Sequence, residues 1–226
     1  MSIYMLSDSA KPNPVLREHL TQEVAEMGGA IAYVSATQTP QSTPFFETTQ
    51  QEYRALDPSF CTEYFDLTFP AAHLARMLDF GVVHLSGGNT FEFMAQVVNR
   101  EFGDLLLHHL DRGGLLVGVS AGAILLTPRL ETAHIAGDAH QDAKDMSGLG
   151  IVPFEFYPHY TGTQREDSQL NRYAKKLGAA VFACPDTEGL RVEHNKKVTT
   201  FGRVACFDGR SKTRASSLQS SMPPDY

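Results

Sequence analysis

The chain has 226 residues, 42% of them apolar and 20% charged, with 19 basic and 26 acidic side chains and a formal net charge of −7. That size suits one large domain or two small ones. The acidic balance opposes non-specific nucleic-acid binding, which needs surplus Lys and Arg to displace counterions. No window reaches the apolar length of a bilayer span, and the start MSIYMLSDSAKPNP has no basic region followed by an apolar core. A cytoplasmic, unexported protein is expected, with neither nucleic acid nor membrane as a partner.

In chain order, IYML reads as a first strand, and NPVLREHLTQEVAEMGG as a helix capped by Asn13 with Pro14 in its first turn. Its apolar stripe is Leu16, Leu20, Val24 and Met27, and Gly28-Gly29 is the stop. AIAYVSA is a second strand, TPFFETTQQEYRALD a helix and EYFDLTF a third strand. AAHLARMLDF is a short helix, GVVHLSGG a strand ending in a glycine pair, and residues 89–114 a helical stretch expected to break near Gly103. LLVGVS and AGAILL form the next strand and helix start; GIVPFEFYPHY, AAVFAC, GLRVEH, KVTTF and VACFD look like later strands, the last of them an antiparallel edge. Nearly continuous apolar strands alternating with helices predict an α/β fold with a mainly parallel sheet covered on both faces. No fixed-period repeat or linker divides the chain, so one catalytic domain over 1–208 and a polar tail over 209–226 are expected. Cys61, Cys184 and Cys206 are odd in number and form no CxxC pair, which argues against disulfides and zinc ribbons.

The segment Gly118-Val119-Ser120-Ala121-Gly122 places one serine between two glycines where a strand gives way to a helix. G-x-S-x-G suits a sharp turn that exposes the hydroxyl as a nucleophile, with the Ala121 N–H facing any oxyanion that attack creates. A tight turn of small residues chosen for packing is the plainer alternative. A second glycine turn, Ser86-Gly87-Gly88-Asn89-Thr90, also follows a strand. There Gly88 could supply a second oxyanion N–H, and Asn89 or Thr90 a helix cap. The spacings of phosphate-cradling loops are absent.

A nucleophilic serine needs a base. Of nine histidines, His159 ends an apolar run just after Pro158. That places it at the carboxyl ends of the strands, where open parallel sheets bind ligands and where Ser120 also lies. For the acid that orients it, Glu188 in ACPDTEGLRV is the first candidate, Asp138 the alternative and Asp186 a distant third. His134, Asp138, His140 and Asp142 invite a metal reading, but their spacing matches no recognised site and a polar loop is the better account.

With these residues assembled, SGGNTFEFM, GVSAGAI, GLGIVPFEFYPHY and TEGLRV resemble, in order and separation, the peptidase E family of serine peptidases, aspartyl dipeptidases related to cyanophycinases. The resemblance runs from about Ile3 to Asp208. It implies a three-layer sandwich similar to class I glutamine amidotransferases (flavodoxin-like), a Ser120–His159–Glu188 triad, oxyanion donation from Gly88 and Ala121, no cofactor and no metal. It also implies hydrolysis of dipeptides with an amino-terminal aspartate, whose carboxylate Arg165 would hold; Asn89 is a further expected substrate-binding residue. The loop from His159 to Arg165 is shorter than the family pattern, which bears on substrate preference more than on the triad. Other acyl hydrolases (esterase, amidase, isoaspartyl peptidase) and a catalytically silent amidotransferase-like binding module are the alternatives. The expected partner is a small peptide substrate, with a homodimer left open.

Overall fold

The computed structural model describes residues 2–10, 12–37, 39, 43–138 and 147–215. A seven-stranded sheet runs in the order β3 (Cys61–Asp66), β2 (Ala30–Ser35), β4 (Val82–Leu85), β5 (Leu115–Val119), β1 (Ser2–Leu6), β8 (Gly189–Glu193) and β9 (Val198–Phe201). Its first five strands are mutually parallel, and β8 and β9 add an antiparallel edge.

Strand alternation decides what lies on each face. Ile3, Met5 and Leu116 belong to one core, together with Phe93 and Val97 of α4 (Thr90–Asn99) and Leu106 of α5 (Phe102–Asp111). Tyr4, Leu6, Leu115 and Val117 point the other way, against Leu16, Leu20 and Val24 of α1 (Pro14–Glu26) and Tyr53 of α2 (Thr43–Leu56). Apolar side chains on both faces of β1 and β5 are why these strands read as unbroken hydrophobic runs. The α/β sandwich expected from the sequence is the fold the chain adopts. Asn13 caps α1 as expected, its side chain accepting from the Val15 N–H.

A second sheet, β11 (Lys212–Arg214), β10 (Ala205–Phe207), β7 (Val181–Ala183) and β6 (Glu155–Tyr157), was not expected as a separate unit. With α8 (Gln164–Leu177) it encloses its own core of Tyr157, Leu170, Tyr173, Ala174, Val181 and Phe207. Pairing of β11 with β10 carries the fold past the expected boundary at 208. Residues 216–226 of the expected tail lie outside the described residues.

The break expected near Gly103 falls instead at Arg100–Glu101, where Glu101 takes a left-handed φ of 52°. Gly103 lies inside α5, and a Cβ there would come within 2.9 Å of Leu149. Close packing, not helix termination, therefore accounts for that glycine. No helix among the described residues is long and apolar enough to cross a membrane.

Candidate active site

Ser120 follows the last residue of β5 and begins the turn into α6 (Ala121–Ile124), with φ 49° and ψ −110°. An L-residue holds such a conformation only where its surroundings impose it. Here they do. Ser120 N–H donates to the Leu6 carbonyl at 2.9 Å, and Gly122 N–H to the Ser86 carbonyl at 3.0 Å. A Cβ at Gly122 would sit 2.4 Å from the Leu85 carbonyl oxygen, and one at Gly118 would sit 2.8 Å from the Gly122 carbonyl oxygen. The two glycines that flank the serine in sequence thus let α6 press against β4 and β5, and the serine takes the strain.

Ser120 Oγ lies 2.9 Å from Nε2 of His159. The other ring nitrogen, Nδ1, lies 2.6 Å from Oδ1 of Asp186. His159 itself has a φ of 56°. Two backbone bonds, Tyr160 N–H to the Cys184 carbonyl at 3.0 Å and Cys184 N–H to the Tyr157 carbonyl at 2.9 Å, lace the ends of the parallel pair β6–β7 together. The segments that follow, carrying His159 and Asp186, are therefore neighbours. Both side chains remain about half exposed.

The acid expected first, Glu188, is not the one beside His159. It is buried before β8, where its Oε2 accepts from Nδ2 of Asn13 at 3.4 Å and its carboxylate fills the space over Gly202. Asp138 is not that acid either: its Oδ2 accepts from the Thr90 N–H at 3.0 Å and the Thr90 hydroxyl at 2.7 Å. The physical reason lies in the second sheet. Asp186 lies in the turn just beyond β7, the strand paired beside β6, whereas Glu188 has already turned toward β8 of the other sheet.

Sequence reasoning also missed Ser7. Fully buried at the end of β1, it accepts from the His159 N–H at 2.7 Å and donates to Asp186 Oδ1 at 3.2 Å. One hydroxyl therefore holds both His159 and Asp186 in register with the elbow. The available signal was only its place at the carboxyl end of a central strand.

A cleft of about 370 Å³ opens over Ser120 and His159, with Gly87, Gly88, Asp8, Asp138, Tyr33 and Phe45 among its lining residues. Gly87 approaches the serine closely, its Cβ direction ending 3.6 Å from Ser120 Cβ. Gly88, at φ 131°, follows it around the turn. Ala121 is buried at the first position of α6. Among the expected substrate-binding residues, Asn89 caps α4, its Oδ1 accepting from the N–H groups of Phe91 and Glu92, and does not line the cleft. Arg165 is exposed in the first turn of α8, also outside the cleft lining.

At the back of the cleft His84 is fully buried, its Nδ1 3.0 Å from the Tyr53 hydroxyl. Burial depresses its pKa to about 3, so it is a neutral wall of the site. Of the four residues in the weighed metal reading, His140 and Asp142 lie outside the described residues. Among the described residues, no three His, Cys, Asp or Glu side chains cluster closely enough to hold a metal ion.

Residues 4–200 match the model of peptidase family S51. The chain is 25% identical over 217 residues to peptidase E of Citrobacter koseri, covering 89% of this chain and 90% of that one. It is 23% identical over 219 residues to peptidase E of Shigella flexneri, covering 94% and 92%. The fold is similar to the crystal structure of a Listeria monocytogenes EGD-e protein described as a candidate peptidase E, with a TM-score of 0.69, 17% identity and coverage of 88% of this chain and 97% of that one. It is also similar to that of a peptidase from an acI-B1 Actinobacterium, with a TM-score of 0.57, 15% identity and coverage of 96% and 94%. The family match spans Ser120, His159 and Asp186 alike, and the chain belongs to peptidase family S51, the peptidase E family of serine peptidases.

Proposed function

We propose that this protein is a serine dipeptidase in which Ser120 is the nucleophile, His159 the general base and Asp186 the group that orients it. The observation that carries this reading is the 2.9 Å approach of Ser120 Oγ to His159 Nε2 on a strained elbow.

Asp186 on Nδ1 keeps that proton in place, so Nε2 presents a lone pair to the serine hydroxyl. His159 takes the hydroxyl proton as Oγ attacks the peptide carbonyl. The oxyanion that forms faces the N–H groups of Gly88 and Ala121, which have no hydrogen-bond acceptor among the described residues. His159 then protonates the leaving amine, and water releases the acyl-enzyme by the same steps in reverse.

The narrower preference for an amino-terminal aspartate rests on the resemblance and on Arg165. It would need a cation facing the acyl side of the substrate, and no Lys or Arg lines the cleft among the described residues. The cleft itself thus lends the aspartate preference no support. A glutamine amidotransferase proper is disfavoured by serine at the elbow.

The test is labelling by a fluorophosphonate together with hydrolysis of a dipeptide panel, using wild type and Ser120→Ala. Labelling and turnover that both disappear in a folded Ser120→Ala variant are expected. A folded wild type that neither labels nor cleaves would favour the silent binding module.

A further inference from the structure

The charges lining the cleft bear on the kind of peptide it accepts. Asp8 follows β1 by one residue beyond Ser7, and Asp138 follows the short helix α7 (Glu131–Ala136); both line the cleft with Ser120. Neither forms an ion pair with a described residue. Asp8 accepts only the Ala10 N–H at 3.0 Å through Oδ1, and Asp138 is held through Oδ2 by Thr90. Each keeps one carboxylate oxygen without a partner among the described residues.

A third carboxyl stands close by. Glu52 lines a neighbouring pocket of about 260 Å³ that shares Ser9 and His84 with the cleft, and its Oε2 is shut off from solvent with no hydrogen-bond partner. The opposing charge there is Arg17, exposed on α1 and engaged with the Ala55 carbonyl at 2.8 Å. Phe45 adds a different feature, since it lines the cleft yet stands 67% exposed. Carboxylates beside an open aromatic face are the chemistry that recognises a cation.

We propose, building on the serine dipeptidase reading, that the cleft selects a basic first residue. Asp8 and Asp138 would receive the two positive charges of a Lys- or Arg-first dipeptide, its amino terminus and its side chain, with Phe45 against the side chain. A neutral first residue brings one positive charge to this surface. An aspartate brings a negative charge against two carboxylates, and like charges placed together in a partly desolvated cleft repel.

The experiment measures kcat/KM of the wild type for Lys-Leu, Ala-Leu and Asp-Leu, and the Kd of each for Ser120→Ala by calorimetry. The expected order in both is Lys-Leu, then Ala-Leu, then Asp-Leu, with the extremes at least about tenfold apart, as for charge-assisted hydrogen bonds. Asp8→Asn and Asp138→Asn should each narrow the Lys-to-Asp ratio by about threefold or more, as should added salt. Asp-Leu bound as well as or better than Lys-Leu, or an unchanged ratio in both variants, overturns the proposal, as does failure to bind any of the three. The two readings separate cleanly. A charge-ordered Kd series without serine-dependent turnover removes the peptidase mechanism and keeps the selectivity, while turnover without charge order does the reverse.

Discussion

Nδ1 of His159 and Oδ1 of Asp186 lie 2.6 Å apart, and the same Asp186 oxygen accepts from the buried hydroxyl of Ser7. This pair orients the imidazole toward Ser120. Asp186→Asn should therefore lower kcat by about 10⁴-fold, the scale seen when the orienting acid of a serine triad is neutralised. Glu188→Gln and Asp138→Asn should fall far short of that loss on a neutral dipeptide. Steady-state kinetics on all three variants would decide, and a Glu188→Gln loss equal to that of His159→Ala would return the role to Glu188.

Ser7 acts one step further back. Ser7→Ala leaves the His159 N–H without its 2.7 Å acceptor and frees Asp186 to swing. A buried donor left unsatisfied costs about 1–3 kcal/mol. Thermal unfolding should show that loss, and kcat should drop on the order of tenfold with KM little changed, because orientation rather than binding is disturbed. Thr at this position should restore part of kcat. A Ser7→Ala enzyme with wild-type kcat would rule out the positioning role.

The elbow's tolerance is limited by backbone, not side chain. A Cβ at Gly122 meets the Leu85 carbonyl oxygen at 2.4 Å, and that carbonyl cannot rotate away as a flexible side chain could. Gly122→Ala should destabilise the protein by at least about 1–3 kcal/mol, the usual range for forcing extra volume into a packed site. It should also displace Ser120, so fluorophosphonate labelling should slow even in the folded fraction. Unfolding and labelling rate measured together test both.

Glu155 supplies a pH test remote from catalysis. It is buried in β6, and burial, with the neighbouring Glu131 charge, raises its pKa to about 7. Its Oε2 has no hydrogen-bond partner. Between the ordinary value of 4.5 and about 7 the native state holds a proton that the unfolded chain has released, so this group makes stability fall as pH rises through that window. The cost at pH 8 reaches up to roughly 3 kcal/mol at about 1.4 kcal/mol per pKa unit. Glu155→Gln should match wild type near pH 4.5 and exceed it in Tm at pH 8. A Tm difference that stays constant between those pH values would contradict the assignment.

The local features of this protein were legible in its sequence because local chemistry determines them. Asn13 and Pro14 begin α1 by satisfying and pre-setting its first turn, and apolar runs such as LLVGV mark strands buried on both faces. The Gly-Val-Ser-Ala-Gly pattern marks an elbow because only glycines allow so close a helix–strand approach. Tertiary structure alone decided which acid meets His159. Asp186 and Glu188 are two residues apart in one loop, and nothing local distinguishes them. The parallel pairing of β6 with β7 brings Asp186 against the imidazole, while the turn into β8 buries Glu188 against Asn13. The same holds for Ser7, Asp8 and Asp138, which come from segments far apart in sequence. Strand order, by aligning the carboxyl ends of non-consecutive strands, sets Ser7 and Asp8 beside Ser120, and the end of helix α7 brings in Asp138.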